Sequence, residues 1–321
     1  MNRRPQRIVV IVGPTAGGKS ELAVNLAERL GGQVINADSM QVYRHLDAGT
    51  AKPTADQRRR VAHHLVDCVE PTENWTLADW LDAAERVLAE LHRRGRLPIV
   101  VGGTNLYLKA LLEGFFEGPP ADPGFRATLD HVPAPQLHQR LAAVDPVAAE
   151  RIHPNDHKRI TRALEVHQLT GRPISALQQQ WDQQRRGGYR HDPIMIGLAW
   201  PTDLLNRRIN ARVKAMFYPE QCGLAGVEDL LSETRRLDAA GMLGEQARAA
   251  LGTRQALDHL AGRITRDQAF ERTKIDTRRF AKAQRTWLKR YRDVHWLDAS
   301  RHAGDALAAQ AAAIIARELA P

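Results

Sequence analysis

The chain has 321 residues, of which 43% are apolar and 26% charged, with a net charge of +9 and a pI near 9.9. That length allows one large or two ordinary domains with a real core, and the charge points to a polyanionic partner, of which nucleic acid is the commonest. Two cysteines, Cys68 and Cys222, exclude a disulfide framework and a zinc site and fit a reducing cytoplasm. No stretch approaches the ~18 apolar residues of a spanning helix, so no membrane partner is expected. The basic start, residues 1–7, runs straight into a short strand and does not read as a signal peptide.

Residues 8–12 are apolar β-formers and predict a buried strand. Gly13-Pro14-Thr15-Ala16-Gly17-Gly18-Lys19-Ser20 follows, a full match to G-x-x-x-x-G-K-[ST]. Residues 21–30 then read as a helix with Leu22, Ala23, Leu26 and Leu30 on one stripe, stopped by Gly31-Gly32. Strand, loop and helix are the context in which this motif binds polyphosphate. Small residues let backbone N–H groups curl around an anion, and the helix N-terminus adds partial positive charge. Lys19 supplies a point charge and Ser20 a hydroxyl for Mg²⁺.

Residues 33–37 predict a second strand, ending at Asp38-Ser39-Met40-Gln41. An acid at a strand tip beside a phosphate loop faces the ligand crevice of an open α/β sheet, so Asp38 is a candidate base or metal-side acid. Residues 46–54 read as loop. Residues 55–65 are basic, and the adjacent pair His63-His64 reads as solvated surface, since neighbours do not share a helix face. Residues 76–94 form an amphipathic helix capped by Thr76 or Asp79, with Trp80 in the core. Residues 96–101 are a further strand, running into Gly102-Gly103-Thr104, where Thr104 can cap the helix 105–113, meet a substrate or phosphate, or do both.

Glycines and prolines crowd residues 114–135 and mark a boundary. Residues 136–182 are helical in pattern; Asp156 caps a segment whose Lys158, Arg159 and Arg162 suit a phosphate backbone, with Ile160, Leu164 and Val166 as its apolar side. The polar stretch 178–190 reads as a flexible loop. Residues 193–201 return to the sheet, and 204–216 form a basic helix with Arg208 and Arg212 on one face. Helices are expected at 224–240 and 245–261, and a cation-dense helix at 265–292 with Phe280 and Trp287 interleaved as core or stacking residues. A last strand at 295–298 and a closing helix at 305–319 complete the chain. Residues 1–115 hold 15 basic and 13 acidic side chains, whereas 205–295 hold 19 and 11, so the anion-binding character lies in the second half.

These stretches together resemble one family across nearly the whole chain, the tRNA dimethylallyltransferases of bacterial form. The resemblance rests on residues 13–20, Asp38 to Tyr43, Asp47-Ala-Gly-Thr-Ala-Lys-Pro53, Gly102-Gly-Thr-Asn-Leu-Tyr107, His153-Pro-Asn-Asp156 with Arg159 to Val166, Gly252-Thr-Arg-Gln255 and Thr277 to Leu288. It implies transfer of a dimethylallyl group from its diphosphate to N6 of the adenosine 3′ to the anticodon. Asp38 would be the base and Thr104 a tRNA-facing residue at the reaction centre. Lys19, Ser20 and Arg212 would surround the diphosphate, with Ser20 near Mg²⁺. Contacts to tRNA would come from Asp38, Ser39, Met40, Gln41, Thr104 and Arg126, from Lys158, Arg159, Ile160, Thr161 and Arg162, and from Gly252, Thr253 and Arg254. The chain departs from the family at His157-Lys158, Thr253 and Ala283, and carries extra residues around 218–222.

The chemistry asks for the same groups. A departing diphosphate needs backbone donors, cations and Mg²⁺. A delocalised exocyclic amine needs orientation and a carboxylate to take its proton. The base must leave its stack, which a single-stranded loop allows. The expected architecture is a cytoplasmic monomer with a P-loop α/β core, a parallel sheet flanked by helices, from residues 1–117 and 190–321. A helical insertion, 118–189, would clamp the anticodon stem-loop. A small-molecule kinase, a prenyltransferase of free adenine nucleotides and a nucleotide-gated RNA-binding switch share the phosphate loop. ATP turnover without tRNA, activity without RNA, or indifference to Asp38→Ala would mark each in turn.

Overall fold

The computed structural model describes residues 7–116, 118–184, 188–302 and 304–320, with backbone alone at 180–184. Residues 1–6 of the basic start and 185–187 of the polar stretch lie outside the described residues. Two compact units emerge: Met1–Ala110 with His191–Pro321, and Leu111–Arg190.

The first unit is built on a six-stranded sheet: β1 Arg7–Val12, β2 Gln33–Asn36, β3 His63–His64, β4 Pro98–Val101, β5 Asp192–Ala199 and β6 Val294–Asp298. Their order is β3-β2-β4-β1-β5-β6 and every neighbouring pair is parallel. Ile8 to Val12 are fully buried, because a parallel sheet covered on both faces leaves its central strand no polar side. The fold is therefore α/β with a parallel sheet flanked by helices. His63 and His64 depart from the solvated surface expected of them. They form the edge strand β3, pair with Val34 and Ile35, and are half-buried; His64 bonds Gln33 Oε1 at 2.8 Å. Ladder pairing overrode a polar composition there.

Helix α1, Lys19–Leu30, ends at Gly31 in the left-handed region (φ +64), where its N–H reaches Ala27 O. Helix α2, Ala55–Arg60, and α3, Leu77–Arg93, both open with capping boxes, from Thr54 with Gln57 and Thr76 with Asp79. Trp80 of α3 is fully buried, stacks on Tyr107 at 4.4 Å and donates Nε1 to the Asn36 carbonyl at 2.9 Å. It thereby braces the tip of β2. Tyr107 belongs to α4, Asn105–Glu113.

In the second unit three prolines of the stretch read as a boundary, Pro123, Pro133 and Pro135, lie at helix starts, while Pro119 and Pro120 stay in irregular backbone. Helix α5, Pro123–Leu129, and α7, Pro146–Arg151, carry Pro in the first turn behind Asp122 and Asp145 caps; α6, Ala134–Val144, follows Pro133. Proline lacks the N–H that a first turn leaves unpaired anyway. Helix α8, His157–Thr170, is capped by Asp156, and α9, Ile174–Gln184, follows. Leu137, Leu141, Ile160 and Ala163 form this unit's core. The unit closes where the Arg190 N–H meets the Leu112 carbonyl at 2.8 Å, so it begins ahead of the Gly/Pro-rich stretch.

Back in the first unit, α10 runs over Thr202–Phe217. The expected helix 224–240 starts later, as α11, Leu230–Ala239, capped by Asp229. Gly223 and Gly226 hold positive φ (both +74) and delay it. The expected helix 245–261 is broken into α12, Glu245–Arg248, and α13, Thr253–Leu260, by Gly252 at φ +97. Helix α14, Arg266–Leu288, opens with a Thr265–Gln268 capping box, and α15, Gly304–Leu319, packs on the sheet beside α1 through Leu307, Ala311 and Ile315.

Candidate active site

Parallel α/β sheets bind ligands at the carboxyl ends of their strands. Here the tips of β1, β2 and β4 open onto a crevice of about 290 Å³. Residues 15–20 of the phosphate loop line it, with Asp38 and Gln41 after β2, Gly102 and Gly103 after β4, Thr50 and Ala51 from the 46–54 loop, and Arg212, Phe280 and Gln284.

The β2 and β4 tips meet at backbone distance. A Cβ on Gly102 would lie 2.1 Å from the Ala37 carbonyl carbon, so only glycine fits there. The Ala37 N–H donates to Val101 O at 2.8 Å, and Ala37 O accepts from the Thr104 N–H at 3.0 Å. Asp38 is thereby held at the crevice edge, its Oδ1 accepting the Met40 N–H at 2.9 Å. Thr104 Oγ1 accepts the Ser39 N–H at 2.9 Å. Its hydroxyl braces the Asp38–Ser39 turn and does not line the crevice floor.

Two cations line the crevice, Lys19 buried and Arg212 half-buried. Lys19 Nζ donates to the Pro14 carbonyl at 2.8 Å. Burial pushes its ammonium down to about 8, against the pull of Asp38 and with a further push from Arg212. Arg212 donates Nη1 to Thr15 Oγ1 at 3.0 Å and Nη2 to Thr50 O at 3.4 Å, while its buried Nε has no partner among the described residues. Burial lowers this guanidinium too, opposed by Asp38. Arg208, one turn earlier on α10, donates Nε to Ala16 O at 2.7 Å and lies 4.6 Å over the Trp200 ring, whose Nε1 donates to Gly17 O at 3.0 Å. Ala16 and Ala51 both hold positive φ (+60 and +50), an uncommon conformation for residues with a Cβ that concentrates at binding sites.

The loop's donors are partly spent within the chain. The Thr15 N–H goes to Gln284 Oε1 at 2.8 Å, and the Gly17 N–H to Pro14 O at 3.1 Å. No side chain caps the α1 N-terminus, and Ser20 is exposed in its first turn. An anion would therefore meet the N-terminus of α1, Lys19 and Arg212. Among the described residues no cluster of three or more Asp, Glu, His or Cys side chains could hold a metal. A Mg²⁺ ion suits the site only through the Ser20 hydroxyl with substrate phosphates and water, which is its usual habit.

Sequence reading missed Gln284. It is 1% exposed and joins the phosphate loop to the β4 tip, since its Nε2 also donates to Gly103 O at 2.9 Å. The signal was present: Thr277, Ala281, Gln284 and Leu288 share the buried face of α14, so a glutamine stood where an apolar residue was due. Phe280, one turn earlier, is 43% exposed and lines the crevice rather than the core. Gly252, Thr253 and Arg254 lie elsewhere in the first unit. Thr253 is buried, and Arg254 pairs with Asp276 at 3.1 Å. In the second unit, Ile160 and Thr161 are buried, Arg126 and Arg162 bind Glu165, and Lys158 and Arg159 are the exposed members of the basic turn.

Among the described residues no helix is long and apolar enough to cross a membrane. Residues 41–291 match the family model described as IPP transferase, and residues 6–68 match one described as Isopentenyl transferase. A tRNA dimethylallyltransferase of Geobacter metallireducens is 44% identical over 297 residues, covering 91% of this chain and 92% of the relative. One from Anaeromyxobacter dehalogenans is 46% identical over 295 residues, with coverage of 91% and 92%. Among solved structures, the tRNA isopentenylpyrophosphate transferase of Bacillus halodurans superposes with a TM-score of 0.70 at 38% identity, covering 98% of this chain and 97% of that one. A eukaryotic dimethylallyltransferase acting on tRNA superposes with a TM-score of 0.74 at 27% identity, covering 92% and 74%. The chain belongs to the IPP transferase family.

Proposed function

We propose that this chain is a tRNA dimethylallyltransferase that moves the dimethylallyl group of dimethylallyl diphosphate onto N6 of the adenosine 3′ to the anticodon. The carrying observation is one crevice in which a phosphate loop, the cations Lys19 and Arg212 and a strand-tip carboxylate meet. The family relatives are named for this transfer.

In this reading the diphosphate lies at the α1 N-terminus against Lys19 and Arg212. The N6 lone pair forms a bond to C1 of the allyl group, the C1–O bond breaks toward the diphosphate, and Asp38 takes the N6 proton. Lys19 and Arg212 meet the charge that grows on the leaving oxygen, and partial withdrawal from water strengthens that attraction. Mg²⁺ beside Ser20 would neutralise further phosphate charge. Thr104 holds the Asp38–Ser39 turn on which the adenine must seat, and Gln284 keeps the two sides of the crevice at fixed spacing.

The RNA meets cations outside the crevice. Lys158 and Arg159 on α8 and the cations of α14 are its phosphate contacts, and the helical unit clamps the anticodon stem-loop. The protein acts as a monomer in the cytoplasm. Labelled dimethylallyl diphosphate incubated with unmodified tRNA tests this: label enters the tRNA with wild type and not with Asp38→Ala, while the variant still binds tRNA. ATP γ-phosphate transfer without label in tRNA would mark a kinase instead.

A further inference from the structure

Glu233 is a deeply buried acid that the transfer chemistry does not use. It sits in the first turn of α11 and is 3% exposed. Its Oε2 accepts the backbone N–H of Asp47 at 2.7 Å and of Ala48 at 2.8 Å. These residues open the loop whose Thr50 and Ala51 form one wall of the crevice. The Thr50 carbonyl, in turn, accepts from Gln41 Nε2 at 3.0 Å and from Arg212 Nη2 at 3.4 Å. Within the loop, the Thr50 hydroxyl donates back to Leu46 O, so its two ends are tied together. Leu230 of α11 closes the underside: a Cβ on Gly49 would stand 3.2 Å from its Cδ1. One buried acid therefore holds one end of a short loop, and the other end meets the half-buried Arg212.

We infer that Glu233 is a positioning residue for diphosphate binding, anchoring Asp47 and Ala48 so that the Thr50 carbonyl fixes Arg212 at the crevice. This rests on the prenyl-diphosphate reading of the crevice. A carboxylate accepting two N–H groups is a stronger anchor than a neutral acceptor. Its charge state therefore changes how firmly the loop is held. Burial pushes the Glu233 carboxyl up to about 7, the two N–H bonds pull it back, and Asp47 and Glu228 push it further. The other charged groups around α11 are engaged elsewhere. Arg236 pairs with Glu228 at 2.7 Å, and Lys52 draws Asp47 at 2.7 Å. On α13, Arg254 is taken by Asp276 and Asp258 by Arg263; on α10, Arg208 holds the phosphate loop.

The test is steady-state transfer to an anticodon stem-loop RNA by wild type, Glu233→Gln and Glu233→Leu, from about pH 6 to pH 8.5. Inorganic diphosphate binding is measured alongside by calorimetry. Glu233→Leu removes both acceptors and raises KM for dimethylallyl diphosphate about tenfold, with kcat and KM for RNA within about twofold. Glu233→Gln keeps an oxygen that accepts both N–H groups, so it matches wild type near pH 6. The ratio of its KM to that of wild type then climbs about threefold or more by pH 8.5, as only wild type gains the carboxylate charge. Taking the ratio cancels the titration of Lys19 and of the diphosphate. A flat ratio, with diphosphate affinity unchanged in Glu233→Gln, overturns the inference. A lower Tm in Glu233→Leu with unchanged KM does the same. Should Glu233→Leu fail to fold, the Glu233→Gln ratio decides alone. Failure of wild type to prenylate RNA sinks the prenyl reading instead, and the calorimetric comparison still tests the anchor.

Discussion

Arg126 and Arg162, in the second compact unit, share one acid. Glu165 has a fully buried side chain and accepts Arg126 Nε at 2.7 Å and Nη2 at 2.9 Å, Arg162 Nη1 at 2.5 Å and the Asp122 N–H at 2.8 Å. Those bonds hold its carboxyl down to about 2 despite burial. Lys19 and Arg212, in the crevice of the first unit, have no acid within ion-pair distance among the described residues. Their hydrogen bonds go to the carbonyls of Pro14 and Thr50 and the Thr15 hydroxyl. In the sequence Lys19 and Arg212 were expected at the diphosphate, and Arg126 and Arg162 among the tRNA contacts. Those in the second unit share one carboxylate of their own fold, and the cluster ties the linker at Pro119 and Asp122 onto α8. Those in the crevice have only neutral oxygen partners, and a cation drawn out of water without an acid is costly until an anion joins it. The difference separates a structural ion cluster from a site built for a polyanion.

The sharpest way to break this contrast is to remove a crevice cation. Lys19→Met lowers kcat for prenyl transfer about 10³-fold, as loss of a principal electrostatic contact to a leaving group does, while Tm holds or rises because an unpaired buried charge has gone. A Tm loss like that of an ordinary core residue would mean Lys19 is already compensated. Next in size is a pH effect from the crevice side. Glu233 titrates near 7 in the fold against 4.5 for an ordinary carboxyl, so the folded state holds its proton where the unfolded state has lost it. Stability is highest below the lower value and falls by about 3 kcal/mol as pH rises through that window. Urea unfolding of Glu233→Gln between those limits shows a flatter slope.

The second unit behaves in the opposite sense. Glu165 is held at about 2, so its contribution is full above the ordinary carboxyl range and disappears as pH falls toward 2. Glu165→Gln strands two arginines and costs about 2 kcal/mol, discounted because both are partly exposed. Adding Arg126→Met to Glu165→Gln recovers part of that loss, and strict additivity of the two would mean they do not interact. The smallest effect belongs to the exposed turn of α8. Lys158→Ala changes stability by less than about 0.5 kcal/mol and lowers the salt slope of tRNA binding by about one. An unchanged slope would remove Lys158 from the phosphate contacts.

Much of this was legible in order along the chain. Strand β1, the phosphate loop and α1 follow from local signals: a β-branched run, a glycine-rich motif and an apolar stripe ended by Gly31. Asp38 was readable because it stands at a strand tip beside the phosphate loop, whereas Arg212 was singled out from Arg208 on the same helix face only by the family resemblance. The proline-led starts of α5 and α6 lay inside the stretch read as a boundary, since one residue type both opens and breaks helices. The late start of α11 depended on glycines whose φ no pattern reveals.

Composition, motif and periodicity thus determined, from the sequence alone, an α/β protein with a phosphate loop and a basic second half, because those signals act between near neighbours. Only the tertiary structure decided which polar groups would be solvated and which would be partners. It set Gln284 between Thr15 and Gly103, put Glu165 between two arginines and left Lys19 without an acid. The physical reason is distance along the chain: Thr15 and Gln284 are 269 residues apart, and Asp47 and Glu233 are 186 apart. Whether a buried charge is balanced depends on what folding brings beside it.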